Sequence, residues 1–234
     1  MIGKPMFNLY GYGSSILEGT FLTISVSLAS LALSMILGIL GALAKLSVVT
    51  PLRMTAQTYT TIIRGIPDLV LMLLVFFGGQ VFINQVGPMV GYDDYIDINP
   101  FMAGVSTIGF IFGAYMTETF RGAILAVPKG QIEAAYAYGM SRFQTFRRIL
   151  MPQMVRHAIP GFGNNWLVLV KTTALVSIIG LDDMVRKASL AAGATRKPFT
   201  FYLVVAANYL IITSISVTIL KWLEKRYSVG VVKA

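Results

Sequence analysis

The 234-residue sequence has no cysteine, one histidine and few charges, only 12% of its residues being Asp, Glu, Lys or Arg. Lack of cysteine excludes disulfides, thiolate nucleophiles and zinc–thiolate sites, and leaves the redox state of the compartment open. The single histidine, His157, stands beside Arg156 at a span edge with no second histidine and no clustered carboxylates to complete a metal site. We read it as an interfacial residue with no chemical role. A G-x-x-x-x-G-K-[ST] loop is also missing, so the chain has no device for cradling nucleotide phosphates. Acidic residues number 10 against 19 Lys and Arg. That excess does not come with the aromatic-basic interleaving of single-strand binders, and no nucleic-acid partner is expected. In membrane proteins such an excess reports orientation.

What is present in quantity is apolar. Hydrophobic residues make up 56% of the chain, and its charged share is about half that of a soluble domain. The expected fold class is an all-α integral membrane protein forming one domain over residues 1–234. Residues 1–17 lack an apolar core of signal-peptide length, so no cleaved targeting segment is expected and the first span does the targeting. Five transmembrane helices are expected at about 19–44, 57–83, 101–120, 160–181 and 198–220, each of a length suited to a hydrocarbon layer of roughly 30 Å.

The spans carry informative irregularities. In the first, Ser30, Ser34, Gly38 and Ala42 fall every fourth residue, a small-residue stripe that lets two backbones approach closely in lipid. That face should meet protein, either within this chain or in a second subunit. The second span is interrupted by Arg64, Gly65, Pro67 and Asp68, and such a break must face protein or water. Residues 84–100, with Asp93, Asp94 and Asp97 and no Lys or Arg, form a polar loop with room for a short surface helix. Gly109 and Gly113 stand one turn apart in the third span, and Glu118 lies near its end. The fourth span carries Asn164, Asn165 and Lys171, and a basic tail follows the fifth.

Loop charge sets the expected sidedness. Placing 45–55, the central loop and the tail inside puts 12 basic residues there against 5 outside, with Arg64 and Lys171 in spans. The amino terminus is then outside and the carboxyl terminus cytoplasmic. Arg186, Lys187, Arg196 and Lys197 run against this rule, partly offset by Asp182 and Asp183.

The central segment 128–152, PKGQIEAAYAYGMSRFQTFRRILMP, is neither a span nor a short connector. Pro128 suits a first helical position, and good helix formers follow from Gln131 to Tyr138. Gly139 closes that helix, and Ser141 to Gln144 spells a capping box for a second one, expected to end at Met151 ahead of Pro152. Ile132, Tyr136, Met140, Phe143, Phe146 and Leu150 recur at three- and four-residue spacing, so one face should be covered. Periodicity alone allows that cover to be the chain's own spans or the lipid interface.

Glu133-Ala134-Ala135, Gly139, Ile149 and Met151-Pro152 resemble the EAA signature, E-A-A-x3-G-x9-I-x-L-P, of the permease subunits of ABC importers; only Met151 departs from it. Further likeness lies in Arg64-Gly65-Ile66-Pro67-Asp68, in Gly113-Ala114-Tyr115 with Glu118 and Arg121-Gly122-Ala123, and in Pro160 to Trp166. Thr173 to Ser177 and Arg226 to Gly230 add to it. These look like the polar-amino-acid branch, within it the Q-type subunits of histidine/lysine/arginine/ornithine permeases. The resemblance implies a type I importer transmembrane domain whose loop 128–152 is cytoplasmic and docks on an ATPase subunit through Glu133, Ala134, Ala135, Gly139 and Ser141. It also implies a second permease subunit, identical or paralogous, a pair of ATPase subunits that bind ATP and Mg, and an external substrate-binding protein. No cofactor is expected in this chain itself, and lipid is its medium.

A path for cationic solutes would involve Asp68, then Glu118, Asn164 or Asn165, Lys171 and Arg64. Each acid has a simpler reading, since Arg64 is one turn from Asp68 and Arg121 three residues from Glu118, so each could neutralise its own helical neighbour. Proline distorts the turn joining Arg64 to Asp68, which favours a free carboxylate at Asp68, whereas the local pair is favoured at Glu118. Lys171 either salt-bridges Asp68 or Glu118, lines the path, or anchors a subunit contact. The expected function is import of basic amino acids by alternating access. Alternatives are a permease for another polar amino acid or an opine, and, from another class, a passive channel or membrane scaffold.

Overall fold

The computed structural model describes residues 9–91 and 94–227. Asp93 of the expected polar loop, Ser228 to Gly230 of the carboxyl-terminal motif, and Lys4 and Lys233 of the charge count lie outside them. The described chain is helical: α1 (Gly13–Lys45), α2 (Thr50–Gly65), α3 (Asp68–Val86), α4 (Pro100–Leu125), α5 (Lys129–Ala137), α6 (Arg142–Thr145), α7 (Met151–Thr172), α8 (Met184–Thr195) and α9 (Pro198–Tyr227).

Helices α1 and α4 form the central pair. The α1 stripe is buried along Ser27, Ser30, Ser34, Gly38 and Ala42, and it lies against α4 of the same chain. A Cβ at Gly38 would overlap Met116 and one at Gly41 would overlap Thr117. Ser30 Oγ donates to the Val105 carbonyl across the contact at 3.4 Å. Of the two partners open to this stripe, the intramolecular one is realised. The opposite face of α1, with Leu28, Ile36, Leu40 and Leu43, is exposed, as a lipid-facing surface should be.

The contacts also fix direction. Along α1, residues 33, 37 and 41 meet 109, 113 and 117 of α4 in rising order, so α1 and α4 run the same way. Two parallel helices require one return crossing between them, and the α2–α3 pair supplies it. Helix α7 runs opposite to α4, with Gly161 against Thr119 and Val176 against Gly104. Helix α9 runs opposite to α7, Gly163 meeting Leu220 and Trp166 sharing a cleft with Ser216.

Several boundaries differ from expectation. Four helices are each long and apolar enough to cross a membrane: Gly13–Lys45, Asp68–Met89, Pro100–Leu125 and Pro198–Tyr227. The expected span 57–83 is two helices, because Ile66 ahead of Pro67 takes an extended conformation (φ −113°, ψ 139°). The expected span 160–181 starts at Met151, runs through Pro160 and stops at Thr172, with a 3₁₀ turn to Ser177. Its polar residues keep it out of the strongly apolar group. Met151 is not a terminus either: α6 passes into α7 through a π-helical turn at Phe146–Leu150, where the Met151 N–H donates to the Phe146 carbonyl. That wider turn resets the hydrogen-bond register just ahead of Pro152, which has no N–H to give. Near the loop at 84–99 the only helical turn among the described residues is a 3₁₀ turn at Gly87–Val90. Residues 95–99 are tied down by α3: Asn84 and Gln80 accept from the N–H groups of Ile96 (2.8 Å) and Ile98 (2.9 Å).

Candidate functional site

The break between α2 and α3 is a two-residue connector, Ile66-Pro67. Asp68 opens α3 in its first turn, where the positive end of the helix favours a carboxylate. Arg64 does not pair with it. Its guanidinium lies over the Tyr115 ring of α4, 5.5 Å from the centroid, and the Asp68 carboxylate is within electrostatic range of the same tyrosine. Among the described residues Asp68 makes no ion pair, and it is half-buried.

Glu118 is a different case. It accepts from Arg121, with Nη2 to Oε2 at 3.0 Å, and from Lys45 at the end of α1. The Lys45 ammonium also reaches the Thr60 hydroxyl on α2, at 2.9 Å, and its side chain is only 6% exposed. The local pair expected for Glu118 is thus present, within a network joining α1, α2 and α4. Lys45, counted from sequence as a loop charge, is the member that sequence reasoning missed. Its signal was positional: it stands one turn beyond Gly41, on the α1 face packed against α4. A cleft of about 290 Å³ opens here, lined by Lys45, Arg64, Glu118 and Arg121 with Gln57, Thr60 and Thr61 of α2.

The α7 residues are dispersed. Asn165 Nδ2 donates to Thr119 Oγ1 at 2.9 Å, a bond holding α7 to α4. Asn164 next to it and Lys171 near the helix end are exposed. The ion pair considered between Lys171 and Asp68 or Glu118 is not formed, because Glu118 is taken up by Lys45 and Arg121 while Asp68 and Lys171 stand on helices that pack on α4 rather than on each other.

The central segment 128–152 is an elbow of α5, α6 and the start of α7. Pro128 is the residue before the helix, not its first turn. Gly139 takes φ +77°, the left-handed conformation that glycine adopts without steric cost. The Met140 N–H donates to Ala135 at 3.0 Å and the Gly139 N–H to Tyr136 at 2.9 Å, closing α5 in a Schellman motif. Ser141 and Gln144 cap α6 reciprocally, at 2.8 and 3.3 Å. Gln153 Nε2 donates to Gln131 Oε1 at 2.5 Å, fixing α5 against α7. Glu133 and Ala134 are exposed and Ala135 is buried. The apolar face expected to be covered is only partly covered by this chain: Ile132, Met140 and Leu150 are half-buried, while Tyr136, Phe143 and Phe146 are exposed; Tyr138, off that face, is 88% exposed. The buried side chains of the elbow are instead the small Ala135 and Thr145.

Comparison with known proteins adds the following. A family model described as the inner membrane component of binding-protein-dependent transport systems matches residues 15–229. The histidine/lysine/arginine/ornithine transport system permease protein HisQ of Salmonella typhimurium is 52% identical over 226 residues, covering 97% of this chain and 99% of the relative. The octopine transport system permease protein OccQ of Rhizobium meliloti is 45% identical over 88% of this chain and 87% of its own. Among solved structures, an amino acid ABC transporter crystallised with histidines superposes with a TM-score of 0.82 at 30% identity, over 96% of this chain and all of the other. On these grounds the chain belongs to the family of inner membrane components of binding-protein-dependent transport systems.

Proposed function

We propose that this chain is a permease subunit of an ATP-driven importer and carries basic amino acids across the cell's inner membrane. The HisQ relative over nearly the full chain supports the solute class, and in this reading ATP and Mg are bound by a separate ATPase. A second permease subunit, identical or paralogous, completes the path, one of two ATPase subunits docks on the elbow, and an external binding protein delivers solute. The amino terminus is outside and the elbow and carboxyl terminus are inside. ATPase closure pushes the elbow, α7 moves with it because α6, the π turn and α7 are one continuous rod, and the site opens to alternate sides.

The observation that carries the solute reading is Asp68: a half-buried carboxylate at a helix break, not neutralised by Arg64. It would attract a cationic side chain, while Arg64, Asn164 and Lys171 supply further polar groups. Uptake by Asp68→Asn is expected to lose preference for arginine, lysine and histidine at normal assembly; unchanged transport removes Asp68 from the path. Because an octopine permease is 45% identical, uptake should be run against octopine as well as the basic amino acids. For the elbow, Gly139→Pro should leave insertion intact but uncouple ATP hydrolysis from uptake, and wild-type ATPase stimulation in that variant would count against docking through Glu133 to Ser141. Copurification of a stoichiometric ATPase separates this reading from a passive channel or scaffold.

A further inference from the structure

Two opposite charges flank the break between α2 and α3, and neither has an ion pair among the described residues. Three cations and one carboxylate line the cleft of about 290 Å³: Lys45, Arg64, Arg121 and Glu118. Lys45 and Arg121 both lie on that carboxylate, which leaves Arg64 as the cation without an anion. Arg64 is exposed and rests on the Tyr115 ring, a contact that is weak at exposed sites and readily exchanged for a carboxylate. Across the break, Asp68 is the carboxylate without a cation. Ile66 (φ −113°, ψ 139°) and Pro67 (φ −58°, ψ 135°) are extended and remove the helical turn that brings residues four apart together. Both charges nonetheless gather on one ring, since Tyr115 lies in the field of Arg64 and of Asp68. Tyr115 stands near the middle of α4, a 26-residue helix, at a depth where unmatched charge in a membrane protein marks a ligand path. Interrupted transmembrane helices are also where transporters hold charged solutes.

We propose that Arg64 recognises the α-carboxylate of the transported amino acid, the solute bridging the break with its carboxylate on Arg64 and its cationic side chain on Asp68. This role depends on the permease reading above and adds to it the group that holds the backbone end of the solute. An amino acid with a cationic side chain satisfies both charges at once, whereas an inorganic anion would match only Arg64 and a polyamine only Asp68. Held beyond ion-pair distance of each other, the two charges suit the far ends of a long solute rather than its adjacent carboxylate and ammonium. A guanidinium fits the task because its fork pairs with both oxygens of a carboxylate. Gln57 and Thr61 line the same cleft beside Arg64 and bring an amide and a hydroxyl.

Arginine, agmatine and citrulline separate the two ends, because agmatine lacks the carboxylate and citrulline lacks the side-chain charge. Displacement of radiolabelled arginine is measured on the detergent-purified transporter containing the full chain, without the external binding protein, whose own selectivity would mask that of the permease. Wild type is expected to hold agmatine and citrulline each about tenfold more weakly than arginine, a comparison that needs no substituted protein. Arg64→Gln should bring the arginine-to-agmatine ratio to about one with agmatine affinity unchanged, and leave citrulline about tenfold weaker than arginine. Asp68→Asn should do the converse, and Arg64→Lys should keep part of the carboxylate preference. Equal affinity of wild type for arginine and agmatine overturns the proposal; it would mean that Arg64 is matched by an acid of the chain itself, such as the terminal carboxylate, or of a partner subunit. Loss of arginine and agmatine binding together in Arg64→Gln also overturns it, as the mark of a structural role. A purified transporter that binds no arginine while cells still take arginine up overturns it too. Absence of arginine uptake by cells overturns the permease reading, and this role with it.

Discussion

Lys45 shows how a single charge changes meaning once packed. Buried at the end of α1, it holds Glu118 and Thr60 together, so Lys45→Met leaves Glu118 with Arg121 alone and should cost about 1 kcal/mol. Thermal unfolding in detergent should show that loss, with part of it recovered in Lys45→Met/Glu118→Gln. Asp183, outside the membrane-crossing helices, is fully buried at the start of α8. Its Oδ1 accepts from the Arg186 N–H at 2.9 Å, while Oδ2 has no partner among the described residues. Burial pushes its pKa from 3.8 up to about 6, against the opposing pull of Arg186 and with a small push from Asp182. The unfolded chain then releases this proton first, so the folded state is favoured below about pH 4 and loses stability as pH rises towards 6, with no further change above. Asp183→Asn keeps the capping oxygen, should flatten the unfolding temperature between pH 4 and 6, and should raise it at pH 7.

At the scale of elements, the α1–α4 contact depends on missing side chains. Gly38→Ala places a methyl group against Met116 and should destabilise by about 1–3 kcal/mol, whereas Gly65→Ala, whose added carbon meets open space, should change stability by less than about 0.5 kcal/mol. Thermal unfolding of the two variants side by side checks this. The small-residue stripe was legible as a contact face because a four-residue repeat of small side chains has one use in lipid. Its partner was not, since the same surface serves equally well between subunits. The α6–α7 rod was misjudged for a related reason: the rule that helices stop before proline describes local strain, and one π turn relieves that strain while α5 and Gln153 hold the segment in line.

For the whole molecule, the order of contacts makes α1, α4 and α9 parallel and α7 antiparallel, with α2–α3 as the remaining crossing. On this order the start of α1 and the end of α9 are expected on opposite faces of the membrane. The absence of native cysteine makes this measurable: Asp94→Cys and Glu224→Cys should each be labelled by a membrane-impermeant maleimide from one side only, and from opposite sides. With the amino terminus outside, Asp94→Cys is the one labelled in intact cells. Labelling of both from the same side would contradict the crossing order.

By itself the sequence determined the class of protein, the helical elbow with its glycine stop and serine cap, and the break at Pro67, because each follows from composition or from bonds within a few residues. Only the tertiary structure decided which charges are spent on one another. Glu118 is neutralised through Lys45 and Arg121, Arg64 turns to Tyr115, and Asp68 is left without an ion pair among the described residues. Pairing across helices depends on which faces pack and in which direction they run, and neither is encoded in the spacing along one helix.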